Sequence, residues 1–443
     1  MKPSRTLLSS SIIAALGGLL FGFDTVVISG AEQSIQKLWQ LSNTQHGLAI
    51  SAALWGTVLG SLVGYWPADR YGRKQTLIWI GILFLVSAIW SGLAKNVTAF
   101  MIARFIGGLG IGISTVASPL YISEISPAHL RGRLAGMFQF NIVFGILLAF
   151  LSNFLLKGIG EHAWRWMLAV EAIPALFYTL ACLTIPESPR WLIGVRGNTE
   201  EALKVLQQVN ADYSEAKVAA IAEEISQAAR EDTVASGFWT MRHRVPILLA
   251  FLIAFFNQLS GINAILYFAP RIFELTGLGA QAALLQSVGI GITNLIFTFV
   301  GLYLIDRLGR KTLLIIGSLG YIASLGLCSW AFYSETFSIV PACIFAFIAA
   351  HAVGQGAVIW VFISEIFPNQ YRATGQSLGS FTHWIFAALL TLFFPRMVTA
   401  FPAGTVFAFF CGMMILQLIW VLTMVPETKG VPLEQMQERL GIE

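Results

Sequence analysis

The stretch DRYGRK, residues 69–74, returns as DRLGRK at residues 306–311, an offset of 237. Two further stretches keep the same order and nearly the same spacing. EISPAHLRG, starting at Glu124, is echoed by EIFPNQYRATG from Glu365, 241 residues on; PESPR, starting at Pro186, is echoed by PETKG from Pro426, 240 residues on. Three ordered echoes at one offset describe two homologous halves rather than chance. Each charged hexapeptide interrupts long apolar runs, so each half reads as a set of membrane helices.

Outside those charges the chain is apolar. Of its 443 residues, 56% are hydrophobic and 11% charged, with mean hydropathy +0.73; a soluble chain carries roughly a quarter of its residues charged. Apolar runs of about 20 residues, long enough to cross a bilayer as helices, fall at 11–30, 47–66, 76–94, 97–118, 134–156 and 164–185. They resume at 245–270, 283–305, 312–333, 338–363, 374–398 and 402–425. The pattern predicts an all-α polytopic membrane protein with twelve transmembrane helices in two pseudo-symmetric six-helix halves. The expected divisions are a first bundle at 1–185, a cytoplasmic helical linker at 186–244, a second bundle at 245–425 and a cytoplasmic tail at 426–443. The first run follows Lys2 and Arg5 as a signal peptide would, yet it is long and no small-residue cleavage site ends it; it reads as span 1. Cys182, Cys328, Cys343 and Cys411 lie inside such runs without metal-ligand spacing, as small buried hydrophobes would. No cofactor and no metal site are expected.

With the N-terminus inside, 20 of the 27 Lys and Arg fall on inner segments, six (Lys37, Lys95, Lys157, Arg165, Arg271, Arg396) on outer ones, and Arg104 within a span. That bias predicts two cytoplasmic termini. The net charge of +4 then reports topology, and no basic domain suited to nucleic acid is present. In the linker, Asn198 followed three residues later by Glu201 marks a helix start; the segment is too short for a catalytic domain. No large outer domain is expected, and the outer N-x-T sequence at Asn96 lies too near the membrane for glycosylation. A bacterial inner membrane is the expected location.

Asp24 sits in the second half of span 1, where an ionised carboxylate costs roughly 2.5–3.5 kcal/mol on insertion scales. At 1.5 Å per residue it lies roughly 20 Å above the inner edge. Arg104, in the oppositely directed span 4, lies roughly 10 Å below the outer edge, the same depth in a core about 30 Å thick. Glu171 in span 6 reaches that layer too. Such residues pair and mark ion or proton pathways. The plain alternative is a packing ion pair between Asp24 and Arg104, although apolar packing replaces such a pair at little cost. In the proton-site reading Arg104 holds Asp24 ionised at rest, and desolvation with loss of that contact favours its protonated form.

DRYGRK, PESPRWL, NQLSGINAILYF and PETKG together resemble the sugar porter family of the major facilitator superfamily over essentially the whole chain. The resemblance implies alternating-access transport of a monosaccharide, a hexose or a pentose such as glucose or xylose. Proton-coupled members carry Asp at the Asp24 position and Arg at the Arg104 position, whereas facilitators tend to have a neutral amide in span 1; Glu171 matches an acidic position of some symporters. Gln139, Gln258, Asn263, Asn294, Trp360 and Trp384 match positions that surround sugar, five of the six in the second half. Amides can serve hydroxyls in both senses, although inside spans they are also ordinary helix–helix glue. The pointers to such a site are glycine-interrupted spans in corresponding places, here Gly17, Gly18 and Gly22 in span 1 and Gly261 in span 7. Three departures stand out: Asn257 replaces a second glutamine, His383 replaces an amide before Trp384, and GQGAVIW brings Gln355 near the pocket. His383 is expected to be a hydrogen-bonding ligand rather than a second titrating group, and His351 a packing histidine.

Tyr267 matches the outer gate of span 7, against the plainer reading of an interface-belt tyrosine. The inner charges Asp69, Arg73, Glu124 and Arg131, with Asp306, Arg310, Glu365 and Arg372, match a network that clamps the inner side shut. Arg70, Lys74, Arg133, Arg307 and Lys311 accompany them, and snorkelling explains part of the set. The run GGLGIGIS in span 4 reads as close helix packing, with no strand before it to make a nucleotide loop. The expected function is therefore proton-coupled import by a protein acting as a monomer in the bilayer. The alternatives are a proton-independent facilitator and a transporter-like sensor, the latter disfavoured by only 13 residues after Gly430. A membrane enzyme lacks any nucleophile–base cluster.

Overall fold

The structure, a computed structural model, describes residues 4–231, 238–239, 243–367, 371–431, 436 and 439–440. Among the described residues, twelve helices are long and apolar enough to cross a membrane. Spans 1 to 6 run Arg5–Gly30, Asn43–Val63, Arg73–Leu93, Val97–Ile125, Arg133–Ile159 and Ala163–Cys182. Spans 7 to 12 run Arg244–Tyr267, Ala280–Leu308, Arg310–Tyr333, Phe337–Ile366, Thr374–Ala400 and Ala403–Met424. The number and order are those read from the sequence. Several ends reach further than hydropathy suggests: span 4 continues to Ile125, seven residues beyond the expected 118. Its 29 residues make a helix of about 44 Å, longer than the hydrocarbon core, and the surplus carries Glu124 past it.

The chain forms two compact units. The first comprises residues 1–25, 56–146 and 168–235, and the second comprises 26–55, 147–167 and 236–443. Compactness thus groups the ends of spans 1, 2, 5 and 6 nearest residues 26–55 and 147–167 with the second half of the sequence. The repeat boundaries expected at 185 and 245 are a property of the sequence echoes.

Within the first unit, helices meet backbone to backbone. A side chain at Gly22 would overlap the Ile142 carbonyl, and one at Gly145 the Leu19 carbonyl, so spans 1 and 5 cross with no room between them. Gly56 and Gly60 of span 2 lie the same way against Phe105 and Leu109 of span 4, and Gly112 against Thr57. This is the small-residue packing that membrane helices use in place of a hydrophobic driving force. The glycine pointer expected in span 1 is therefore corrected: Arg5–Val27 is one unbroken α-helix, and Gly17, Gly18 and Gly22 serve close packing.

The breaks lie elsewhere. Span 7 divides into Arg244–Leu259 and Ile262–Tyr267 around Gly261, whose φ of 88° belongs to the left-handed region that glycine enters without steric cost. Span 10 divides into Val340–Val353 and Gln355–Ile366 at Gly354. Span 6 divides into Ala163–Ala169 and Ala172–Cys182 at Val170 and Glu171, because Pro174 has no N–H to donate back to Val170.

The linker is helical at Pro189–Gly194, Thr199–Val209 and Glu215–Glu231. As expected, Asn198 caps the second helix: its Oδ1 accepts from the Glu201 N–H at 3.2 Å, and its Nδ2 donates to the Glu201 carboxylate at 2.8 Å.

Candidate functional site

The first unit brings the three buried ionisable residues together. Arg104 Nη1 donates to Asp24 Oδ1, and Nη2 donates to the Asp24 main-chain carbonyl at 3.0 Å. Glu171, at the break in span 6, lies against both Asp24 and Arg104. None of the three is more than 2% exposed. Asp24 Oδ2 and Glu171 Oε1 are buried without a hydrogen-bond partner. One guanidinium therefore faces two carboxyl groups. Gly107 leaves room for the pair: a side chain there would meet Ser87 and approach Asp24.

The second unit carries a neutral cluster. Gln258 Nε2 donates to Asn257 Oδ1 at 3.1 Å and meets the ring nitrogens of His383 at 3.1 and 3.2 Å. The His383 ring lies 5.3 Å from that of Trp360 and 4.7 Å from that of Trp384, edge-on to the latter. Asn257 Nδ2 reaches Gln355 Oε1 at 3.5 Å. Asn263 and Asn294 are buried in the same unit. Gln258 Oε1 and Asn263 Nδ2 are buried with no partner, an acceptor and a donor left over. Each would cost about 1–3 kcal/mol if nothing ever satisfied it. Such a cluster can bind a neutral polyhydroxylated solute: hydroxyls for the amides, apolar C–H faces for the indoles. Gln139 is half-buried on span 5 in the first unit, so the structure does not group it with these residues.

Tyr267 is fully buried, which removes the interface-belt reading. His351 is held by Tyr321, with 2.6 Å between Nδ1 and Oη, consistent with a packing histidine.

The inner charges form two closed sets, one in each unit, with matching geometry. In the first, Arg73 donates from Nε and Nη2 to Glu124 at 2.9 Å and lies 3.0 Å from Asp69. In the second, Arg310 donates likewise to Glu365 at 2.9 and 2.7 Å and lies 3.3 Å from Asp306. Arg131 donates to the Ser123 carbonyl, and neither Arg131 nor Arg372 enters an ion pair among the described residues.

Sequence reasoning missed the two carboxylates that complete these sets. Glu187 accepts from the main-chain N–H groups of Arg73 and Lys74 at 2.9 and 3.0 Å, and Glu427 from those of Arg310 and Lys311 at 2.9 and 3.1 Å. Each satisfies the otherwise open N–H groups at the start of a helix. Burial pushes the Glu187 carboxyl above its ordinary range, against those N–H groups and the Arg73 charge. The glycine of each hexapeptide makes the approach possible: Gly72 and Gly309 have φ of 97° and 89°, and any side chain there would strike Glu187 or Glu427. Ser188 and Thr428, the next residues, donate their hydroxyls to Glu124 and Glu365. The repeated dipeptide at Glu187 and Glu427 was the available signal.

A further buried cluster in the second unit has no counterpart in the motifs. Arg271 donates to both oxygens of Glu32 at 2.9 and 2.8 Å, and His46 Nε2 lies 2.7 Å from Glu32 Oε2. Glu32 and His46 are wholly buried. The cluster ties the helix Glu32–Leu38 to the helix Ala269–Glu274 that follows span 7.

The sequence model of a family described as "Sugar (and other) transporter" matches residues 10–440. The chain is 36% identical over 436 residues to the arabinose–proton symporter of Bacillus subtilis (strain 168), covering 97% of this chain and 94% of that protein. It is 33% identical to the D-xylose–proton symporter of Escherichia coli (strain K12), covering 98% and 96%. The inward-open xylose transporter of E. coli superimposes with a TM-score of 0.87 at 32% identity, covering 98% of this chain and 99% of that one.

Proposed function

We propose a division of labour within a protein that belongs to the sugar (and other) transporter family and, as a transporter rather than an enzyme, imports a monosaccharide with a proton by alternating access. It is a multi-pass plasma-membrane protein. Asp24 is the proton acceptor, Arg104 is its ion-pair partner, and Glu171 completes the buried charged cluster. Gln258, Asn263, Asn294, Trp360 and Trp384, with Asn257, His383 and Gln355, line the sugar side, and Gln139 contributes from the first half. The observation that carries this reading is the buried Arg104–Asp24 pair with Glu171 against it. A buried cation that served packing alone would need one carboxylate; this one faces two. The sugar is an aldopentose or aldohexose of the arabinose, xylose or glucose type named for the relatives.

The inner sets around Arg73 and Arg310 act as gates that close in one state and loosen in the other, and Tyr267 gates the other side. Both termini face the cytoplasm of a bacterial cell, and the monomer is the working unit in the bilayer. The experiment is uptake of radiolabelled L-arabinose, D-xylose and D-glucose into proteoliposomes, with and without an imposed pH gradient. Accumulation of one sugar above equilibrium only with the gradient is the expected result. Equal downhill entry in both conditions would replace the symporter with a facilitator.

A further inference from the structure

We propose that the buried amides of the second unit form a one-way relay that fixes Gln258 as a hydrogen-bond acceptor toward the sugar, and that Gln417 and Ser318 are the positioning residues that set its direction. The inference rests on the sugar-binding reading above and deepens it.

The relay begins in span 9. The Ser318 hydroxyl donates to the Leu314 carbonyl of its own helix at 2.7 Å, the local back-bond open to a serine inside a helix. Its single hydrogen is thereby used, and toward Gln417 of span 12 it can only accept. Gln417 Nε2 accordingly donates to Ser318 Oγ at 2.7 Å, which turns the Gln417 carbonyl toward Gln355. Gln355 Nε2 donates to it at 3.0 Å, leaving Gln355 Oε1 facing Asn257 Nδ2. Asn257 Oδ1 then accepts from Gln258 Nε2.

An amide nitrogen has two hydrogens, and the second on Gln258 meets His383. Both donors are spent inside the protein. What remains is Oε1, buried and without a partner. Ser318, Gln417 and Gln355, members of the relay behind Gln258, are all wholly buried, so they bond to one another rather than to solvent. If Ser318 donated to Gln417 instead, every amide in the chain would reverse and Gln258 would offer N–H. The serine decides the sense, and the site therefore prefers a sugar hydroxyl that donates.

Deoxyfluoro sugars read this directly, because fluorine replaces the hydroxyl at similar size and has no hydrogen to give. Calorimetry on the purified full-length protein would use L-arabinose, D-xylose, D-glucose and their monodeoxy and monodeoxyfluoro analogues. At one ring position the fluoro analogue should bind as poorly as the deoxy analogue, roughly two- to tenfold weaker than the parent. That position is the one where Gln258→Ala erases the difference. In Ser318→Ala and Gln417→Met the parent-to-fluoro ratio there should fall toward one, while Ser318→Thr, which keeps the hydroxyl, retains it. Ser318→Ala, the mildest change, carries the test should Gln417→Met not fold. A merely structural role would weaken parent and analogue together and leave the ratio unmoved, overturning the positioning role. A fluoro analogue that binds as well as its parent at every position overturns the acceptor assignment and leaves the transport reading standing. Failure of every parent sugar to bind overturns both.

Discussion

Two buried clusters, one in each compact unit, bury polar groups in opposite ways. In the first, three ionisable side chains share one point, and a single cation is set against two acids. In the second, the cluster around Gln258 holds amides, indoles and a histidine. A proton must be recognised through charge, because it has no shape; a sugar must be recognised through directed hydrogen bonds, because it has no charge. With the two tasks divided as proposed, coupling passes through conformation. Each ligand shifts the balance only by its differential affinity for the states.

The sharpest break in this comparison is Asp24→Asn. The amide cannot take up and release a proton, so gradient-driven accumulation should vanish while sugar counterflow and binding persist. Uphill accumulation in that variant, measured in proteoliposomes, would overturn the proton assignment. Arg104→Gln comes next. Removing one partner of a buried pair costs about 3–5 kcal/mol, and the loss should appear as a lower unfolding temperature in detergent that Asp24→Asn partly restores. If the double variant were no more stable than Arg104→Gln alone, the two would not be a coupled pair.

Smaller effects sharpen the other side. Gln258→Ala removes one or two hydrogen bonds to neutral hydroxyls at about 0.5–1.5 kcal/mol each. Sugar affinity should fall roughly severalfold to a hundredfold with the pH dependence of uptake unchanged. Gln139→Ala should cost less by calorimetry, and a reversed order would move the main sugar contacts to the first half. The least effect is expected at Glu187. A carboxyl held above its ordinary range by burial favours the folded chain below that range, and the advantage fades as pH rises through the raised value. The wild type should lose stability relative to Glu187→Gln as pH rises from acidic to neutral, read by thermal unfolding in detergent. A difference that is flat with pH would place the carboxyl in its ordinary range.

The span count was legible because apolar length is a one-dimensional property. The meeting of Asp24 with Arg104 was legible for a related reason: helix rise converts sequence position into depth, and two buried charges at one depth have few other partners. Depth says nothing about lateral packing, and that is where reading stopped. Gly17, Gly18 and Gly22 resemble a helix break on paper, yet Ile142 against Gly18 and Gly22, and Ser114 and Ser118 against Gly17, show them to be crossings, a fact that depends on spans 4 and 5. Arg271 counted only as an outer charge, and Glu32, 239 residues away, drew no notice because nothing in either segment announces the other. Gln417 and Ser318 sit in apolar helices as isolated polar residues, and only their contact gives them meaning.

The paired charge sets carry a historical implication. Arg73, Glu124 and Glu187 satisfy one another without help from their echoes, and Arg310, Glu365 and Glu427 do the same. An ancestor half as long would already have owned a finished inner rim, with no buried cation waiting for a second gene copy.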